Sequence, residues 1–254
     1  MTVDIGAVNL SGKIAIVTGA SRGIGKAISL ALARAGAKVA VVARTVDDSN
    51  TLPGSIHKTV AEIKKFGGSA LPVQCDVTSE DEVREMVETV VKSCGKIDIL
   101  VNNAGIFKMT KFMETSLADF VNTWLINVQA PFLCTRAVLP VMLAQKSGSI
   151  ISISSGLAES EHPTYSAYAA SKAALNRMMK KLASEVAEAN IAVNVLKPGG
   201  IRSEGMIAIA TDEMLARMPA PEMMGPPTVW LAAQDAGSFT GKLVAPITFG
   251  TEWP

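Results

Sequence analysis

The chain is poor in what several kinds of protein depend on. Its three cysteines, Cys75, Cys94 and Cys134, are odd in number, widely spaced and without a Cys-x-x-Cys pair, which argues against a disulfide framework and a zinc site. With two histidines, His57 and His162, metal-dependent chemistry is not expected. Lys and Arg number 24 against 23 Asp and Glu, a net charge of +1, so no broad basic surface is implied for nucleic acid or anionic lipid. The longest stretch without Asp, Glu, Lys or Arg, Phe120 to Thr135, has 16 residues and includes Asn122, Asn127, Gln129 and Pro131, so it does not read as a membrane span. Met1 to Gly12 has an acid at Asp4, no basic start and no apolar core, which matches neither a secretory signal nor an Arg-rich transit peptide. The expected location is the cytoplasm.

What is present is a globular composition, 48% hydrophobic and 19% charged over 254 residues, enough for one large domain with a sizeable core. The apolar run Ile14 to Val17 reads as a short buried strand and is followed by Thr18-Gly19-Ala20-Ser21-Arg22-Gly23-Ile24-Gly25. Ile24, Ile28 and Leu32 then fall at helical spacing, and Gly36 ends the helix. Val39 to Val42 is a second buried strand, so the first 44 residues predict a βαβ unit with a right-handed crossover. Glycines at 19, 23 and 25 allow a tight turn and close approach of a pyrophosphate, and the helix N-terminus offers free N–H groups to that anion.

The polar stretch Thr45 to Thr59, with a turn at Pro53-Gly54, reads as a loop leading to a helix with Ile56, Val60 and Ile63. Ser79 to Glu82 is a capping box opening a further helix, and Ile97 to Val101 is a buried strand closing on Asn102 to Gly105. Ser116 to Met142 reads as a long helix, broken near Pro140, with Phe120, Trp124, Asn127 and Val128 along it. Strands follow at Ser149 to Ser154, which delivers Ser155 to its carboxyl end, at Ile191 to Leu196, and at Leu243 to Ile247, before a short apolar tail. Alternating strands and helices predict one parallel sheet covered on both faces, with ligands beyond the carboxyl ends of the strands.

Met206, Ile207, Ile209, Met214, Leu215, Met218, Met223 and Met224 crowd between Gly205 and Gly225, among small residues and prolines. Methionine fills irregular apolar space, so this segment reads as a mobile lid over an apolar substrate or as core packing or an oligomer contact. In Tyr165 to Leu175 the alanines favour helix, and residues four apart share a face, which sets Tyr168 beside Lys172. A cation near a phenol favours the phenolate, so the pair can pass a proton; a surface helix carrying an unremarkable Tyr and Lys has the same spacing.

Taken together, Thr18 to Gly25, Asn102 to Gly105, Ser155, Tyr168-x-x-x-Lys172 and Pro198-Gly199 resemble the short-chain dehydrogenase/reductase family, from about Leu10 to Leu243. Tyr168 follows Ser155 by 13 residues, as the family's pattern requires, and Tyr165 does not fit it, because Ala169 stands four residues on. The resemblance implies a single NAD(P)-binding Rossmann domain over residues 1–254, a doubly wound parallel α/β sheet of about seven strands with helices on both faces, and a substrate lid at about 203–225. It implies an oxidoreductase passing a hydride between nicotinamide and a carbonyl or secondary alcohol, with Tyr168 as general acid or base. Lys172 would favour the phenolate and hold the nicotinamide ribose, and Ser155 would bond the substrate oxygen. Asn127 would position water in a proton relay to Lys172, or be a buried, satisfied amide.

The implied cofactor-binding set is Gly19, Ser21, Arg22, Gly23, Ile24, Gly25, Arg44, Asp76, Val77, Asn103, Ala104, Gly105, Tyr168, Lys172, Pro198, Gly199, Ile201 and Ser203, with Asp76 toward the adenine and Ile201 and Ser203 toward the carboxamide. An acid at the end of the second strand would repel a 2′-phosphate; Ala43 stands there, followed by Arg44, with Arg22 in the glycine turn, so NADP is expected over NAD. The loop after Thr45 resembles that of the hydroxysteroid dehydrogenase-like and citronellol dehydrogenase-like members, whereas Ala245-Pro246-Ile247 departs from the family's common Asp-Gly-Gly. The long helices Ser116 to Met142 and Ala167 to Ala187 resemble those that pair between subunits, which implies a homo-oligomer, tetramer or dimer. A dinucleotide-binding scaffold or sensor without turnover, or an NAD-preferring alcohol dehydrogenase, are the alternatives.

Overall fold

The computed structural model describes residues 8–47, 53–207 and 210–254. The N-terminal segment up to Ala7, the part of the expected loop from Asp48 to Leu52, and Ala208 and Ile209 of the methionine-rich stretch lie outside the described residues. Seven strands, β1 (Ile14–Thr18), β2 (Lys38–Ala43), β3 (Ser69–Gln74), β4 (Ile99–Asn102), β5 (Gly148–Ile153), β6 (Ile191–Leu196) and β7 (Leu243–Val244), form one sheet in the order β3-β2-β1-β4-β5-β6-β7. Every pairing is parallel, with Ala15 opposite both Val39 and Ile99.

Alternation along the strands divides the core in two. Ile14 and Ile16 of β1 point to one face, where α3 (Glu80–Cys94), α5 (Ala130–Gln145) and α6 (Ser166–Glu185) cover them; Ala15 and Val17 point to the other, under α1 (Gly23–Arg34), α2 (Ile56–Lys65) and α9 (Gly225–Ala232). Each fully buried Ile or Leu of these clusters contributes roughly 1.5–3 kcal/mol. Chain order reverses between β1 and β4, and a crevice opens there beyond the strands' carboxyl ends. Pro72 lies in β3, an edge strand, as a residue without an N–H requires.

Several boundaries differ from expectation for physical reasons. The loop after β2 ends at Ser55, whose hydroxyl accepts from Lys58 N–H and starts α2 at Ile56. The Ser79 capping box is half made: Ser79 Oγ accepts from Glu82 N–H, while the Glu82 carboxylate accepts from Asp76 N–H instead of closing on Ser79. The long helix does not break at Pro140. Its ring is exposed, so water can serve the freed carbonyl of Arg136, and α5 continues to Gln145. The irregularity sits earlier, in a π turn at Leu125–Gln129 between α4 (Leu117–Trp124) and α5. The stretch Leu117–Gln145 is apolar and long enough to cross a membrane by length and composition, but half of its apolar window is buried inside the fold, the position of a core helix. β7 stops at Val244, since Pro246 begins a 3₁₀ turn where strand was expected to reach Ile247.

Candidate active site

The glycine turn between β1 and α1 is built to be approached closely. A Cβ on Gly25 would lie 2.4 Å from both Asn103 Nδ2 and Gly19 O, and one on Gly19 would lie 2.9 Å from the Ala104 Cα, so no other residue fits either place. Two threonines hold the turn to its surroundings. The Thr18 hydroxyl accepts from both Asn103 N–H and Ala104 N–H at 3.1 Å, and buried Thr59 donates to Ala20 O at 3.0 Å. Asn103 Nδ2 donates to Thr18 O and Gly19 O, fixing the turn after β4 against the turn after β1. Helix α1 begins with neither a capping side chain nor an acidic residue in its first turn, leaving its N–H groups and dipole to an anion.

A cleft of about 350 Å³ opens above these turns. Its walls bring together Gly19, Ser21, Arg22, Gly23, Ile24, Gly25, Arg44, Asp76, Val77, Asn103, Ala104, Gly105 and Ser203 from the predicted set. Tyr168, Lys172, Pro198, Gly199 and Ile201 are not part of its walls. Pro198 is buried and its carbonyl accepts from Gly156 N–H, and the Ile201 side chain is core. Neither arginine is a free cation. Arg22 donates to Pro53 O and Gly54 O, and Arg44 lies 3.5 Å from the Asp76 carboxylate. Burial works against that carboxylate, but hydrogen bonds from Thr78 and the Arg44 charge outweigh it and hold the Asp76 pKa below its ordinary value.

Beside the cleft, β5 delivers Ser155 and α6 delivers Tyr168 and Lys172. Ser155 Oγ accepts from Leu157 N–H at 3.2 Å, which leaves its own proton for its hydrogen bond with Tyr168. Lys172 is buried and donates to Ile153 O at 2.9 Å, with its Nζ 5.8 Å from the centre of the Tyr168 ring. Burial pushes the Tyr168 pKa up, and the hydrogen bond with Ser155 offsets it only in part. Burial also pushes Lys172 down, to about 8.

Asn127 is fully buried in the π turn, and its amide is satisfied: Oδ1 accepts from Ile106 N–H, and Nδ2 donates to Ile106 O and Ser171 Oγ. The side chain is thus a buried amide with its partners inside the fold. Ser171 in turn donates to Tyr168 O. Sequence reasoning missed Thr18, Thr59, Ser171 and Phe107, whose ring packs on Tyr168. Thr18 opens the glycine motif and Ser171 precedes Lys172, which were the available signals; Thr59 and Phe107 had none. In the segment 203–225, α7 (Glu204–Ile207) and α8 (Asp212–Arg217) carry exposed Ile207 and Met214, whereas Met224 is wholly buried in the core.

The family described as short chain dehydrogenase matches residues 13–214. A 3-oxoacyl-[acyl-carrier-protein] reductase of Synechocystis sp. is 38% identical over 92% of this chain and 94% of its own length. A Beutenbergia cavernae structure with bound NADP is 34% identical with a TM-score of 0.84, covering 94% of this chain and 96% of that one. A 7α-hydroxysteroid dehydrogenase complexed with NADH and 7-oxo glycochenodeoxycholic acid is 32% identical with a TM-score of 0.85, covering 94% of both chains.

Proposed function

The chain belongs to the short-chain dehydrogenase/reductase family, an oxidoreductase family with NAD(P)-dependent members, and on that premise we propose an NADP-dependent enzyme that interconverts a carbonyl and a secondary alcohol. The observation that carries this reading is the meeting of Ser155, Tyr168 and Lys172 beside a cleft whose glycine turn admits no Cβ. The donor set fits a dinucleotide: uncapped N–H groups at the start of α1 for the pyrophosphate, Asn103 to Gly105 and Asp76 on the adenosine side, and Ser203 across the cleft.

Bound nicotinamide would supply or take the hydride. Tyr168 gives its phenolic proton to the carbonyl oxygen in reduction, or takes the hydroxyl proton in oxidation. Ser155 orients that oxygen, and Lys172 holds the ribose and returns a proton to Tyr168. The raised Tyr168 pKa suits the acid role, because a half-buried, poorly solvated phenol stays protonated until a substrate oxygen accepts from it. Asn127 serves the site by fixing Ile106 and Ser171.

NADP is favoured by Ala43 at the end of β2 with Arg44 next to it at the cleft wall, where a 2′-phosphate would compete with Asp76 for the guanidinium. The NADP-bound relative supports this choice, and the relative complexed with NADH is the argument for an NAD-preferring enzyme. Residues 203–225 act as a lid over an apolar substrate, and the enzyme works in the cytoplasm; exposed Leu117, Phe120 and Val121 on α4 and Phe132 on α5 support a homo-oligomer, dimer or tetramer.

The test is NADPH oxidation across a carbonyl panel. Tyr168→Phe is expected to lower kcat by about 10²–10⁴-fold while dinucleotide binding persists. Unchanged turnover in that variant would remove Tyr168 from the reaction.

A further inference from the structure

The chain has two tyrosines, Tyr165 and Tyr168, and both touch Phe107. The Phe107 ring stacks on Tyr165 with centroids 5.1 Å apart at 29°, and meets Tyr168 at 5.0 Å and 87°, the perpendicular arrangement that ring quadrupoles favour. Phe107 itself is pinned from both sides. The residue before it, Ile106, is bonded through its N–H and C=O to Asn127. Beyond it, Thr110 O accepts from Tyr165 N–H at 3.1 Å, and the Tyr165 hydroxyl donates to Met109 Sδ at 2.9 Å.

Tyr165 also sits in the left-handed backbone region, at φ +74, at the N-cap of α6. A non-glycine residue there costs about 1–2 kcal/mol, and such strain persists only where surrounding contacts over-determine it. Here those contacts lead back to the 106–110 turn. The turn therefore presses one ring against the phenol that faces Ser155, and nothing in the proton transfer itself accounts for that ring.

We propose that Phe107 is a positioning residue for Tyr168: its perpendicular contact fixes the phenol ring toward Ser155 and keeps water from its face. This rests on the reading of Tyr168 as the proton-transferring group. The groups around the phenol divide by element. The end of β5 brings the Ser155 hydroxyl, α6 brings the Lys172 ammonium, and the turn after β4 brings only the apolar ring.

The two-tyrosine composition makes the test direct. In a Tyr165→Phe background Tyr168 is the sole phenol, and its ionisation is read by phenolate absorbance without cofactor or substrate. Phe107→Leu in that background is expected to lower the ionisation midpoint by about one unit as water reaches the ring. It should also lower kcat about tenfold, with KM for the dinucleotide changed less than about twofold. Phe107→Trp should restore both.

Ring-labelled tyrosine gives the same reading by NMR at neutral pH, where the fold is not stressed: Phe107→Leu should move the Tyr168 ring signal toward that of an exposed tyrosine. An unmoved midpoint and ring signal overturn the inference whatever turnover does, and so does a moved midpoint with kcat intact. Full turnover in Tyr168→Phe would instead sink the underlying reading, which keeps the two failures apart.

Discussion

Asn127 and Ile106 are bonded reciprocally, the Ile106 N–H to Asn127 Oδ1 at 2.9 Å and Asn127 Nδ2 to Ile106 O at 3.0 Å. The pair mimics a rung of sheet between a helix side chain and a loop backbone. The π turn at Leu125–Gln129 carries Asn127 at this point of the long helix. A second bond from Nδ2, to Ser171 Oγ at 3.1 Å, continues to Tyr168 O, so one amide ties the turn after β4 to helix α6.

Asn127→Ala should therefore act as a structural lesion with a catalytic consequence. It leaves the part-buried Ile106 N–H and C=O without their partner, and each such group costs about 1–3 kcal/mol where water does not replace it. A total loss of about 3 kcal/mol in denaturant unfolding is expected, with kcat lowered as Ser155 and Tyr168 lose registration. A loss below about 1 kcal/mol would mean that the clamp is not made in solution.

How far the sequence could be read follows from the range of each interaction. β6 was legible to its end residues, because Ile191 to Leu196 is apolar but for Asn194 and buried throughout, and the helical juxtaposition of Tyr168 and Lys172 was legible because the two lie one turn apart, although Ser155, 13 residues upstream, was needed to single the pair out. Pro140 misled, since a proline's effect on a helix depends on which side its ring faces, and no local pattern reports that. The π turn left no period to detect. Thr59 was placed in a loop, yet its hydroxyl, 39 residues from Ala20, helps to shape the glycine turn. The arginines were read as charges and behave as hydrogen-bond donors, because carbonyls at Pro53 and Gly54 and the carboxylate at Asp76 reach them first.

That competition sets a cofactor prediction. Arg44 is the guanidinium at the end of β2, held near Asp76 but largely exposed, so a 2′-phosphate can recruit it at little cost. Arg44→Ala should raise KM for NADPH about tenfold and leave KM for NADH within about twofold. Asp76→Asn should move the ratio the other way for the phosphate by releasing Arg44, at the expense of the hydrogen bonds from Thr78. Equal effects of Arg44→Ala on both dinucleotides would end the case for NADP preference.

Lys172 gives a prediction whose sign can be worked out. Burial lowers its pKa from an ordinary 10.5 to about 8, because the charged form has left water and is met by the neutral Ile153 carbonyl. Between about pH 8 and 10.5 the unfolded chain therefore holds a proton that the folded chain lacks, and stability rises with pH across that window. Below about pH 8 both states are protonated and the full burial penalty, about 3 kcal/mol, is present. Lys172→Met has no ammonium to desolvate, so its stability should lack this rise: the native chain should gain on the variant as pH goes from 8 toward 10, measured as the difference in thermal unfolding between the two. A parallel pH dependence for both chains would show that water or a bound anion reaches Lys172 in the folded state, and a site open to water there could not keep the Tyr168 phenol dry.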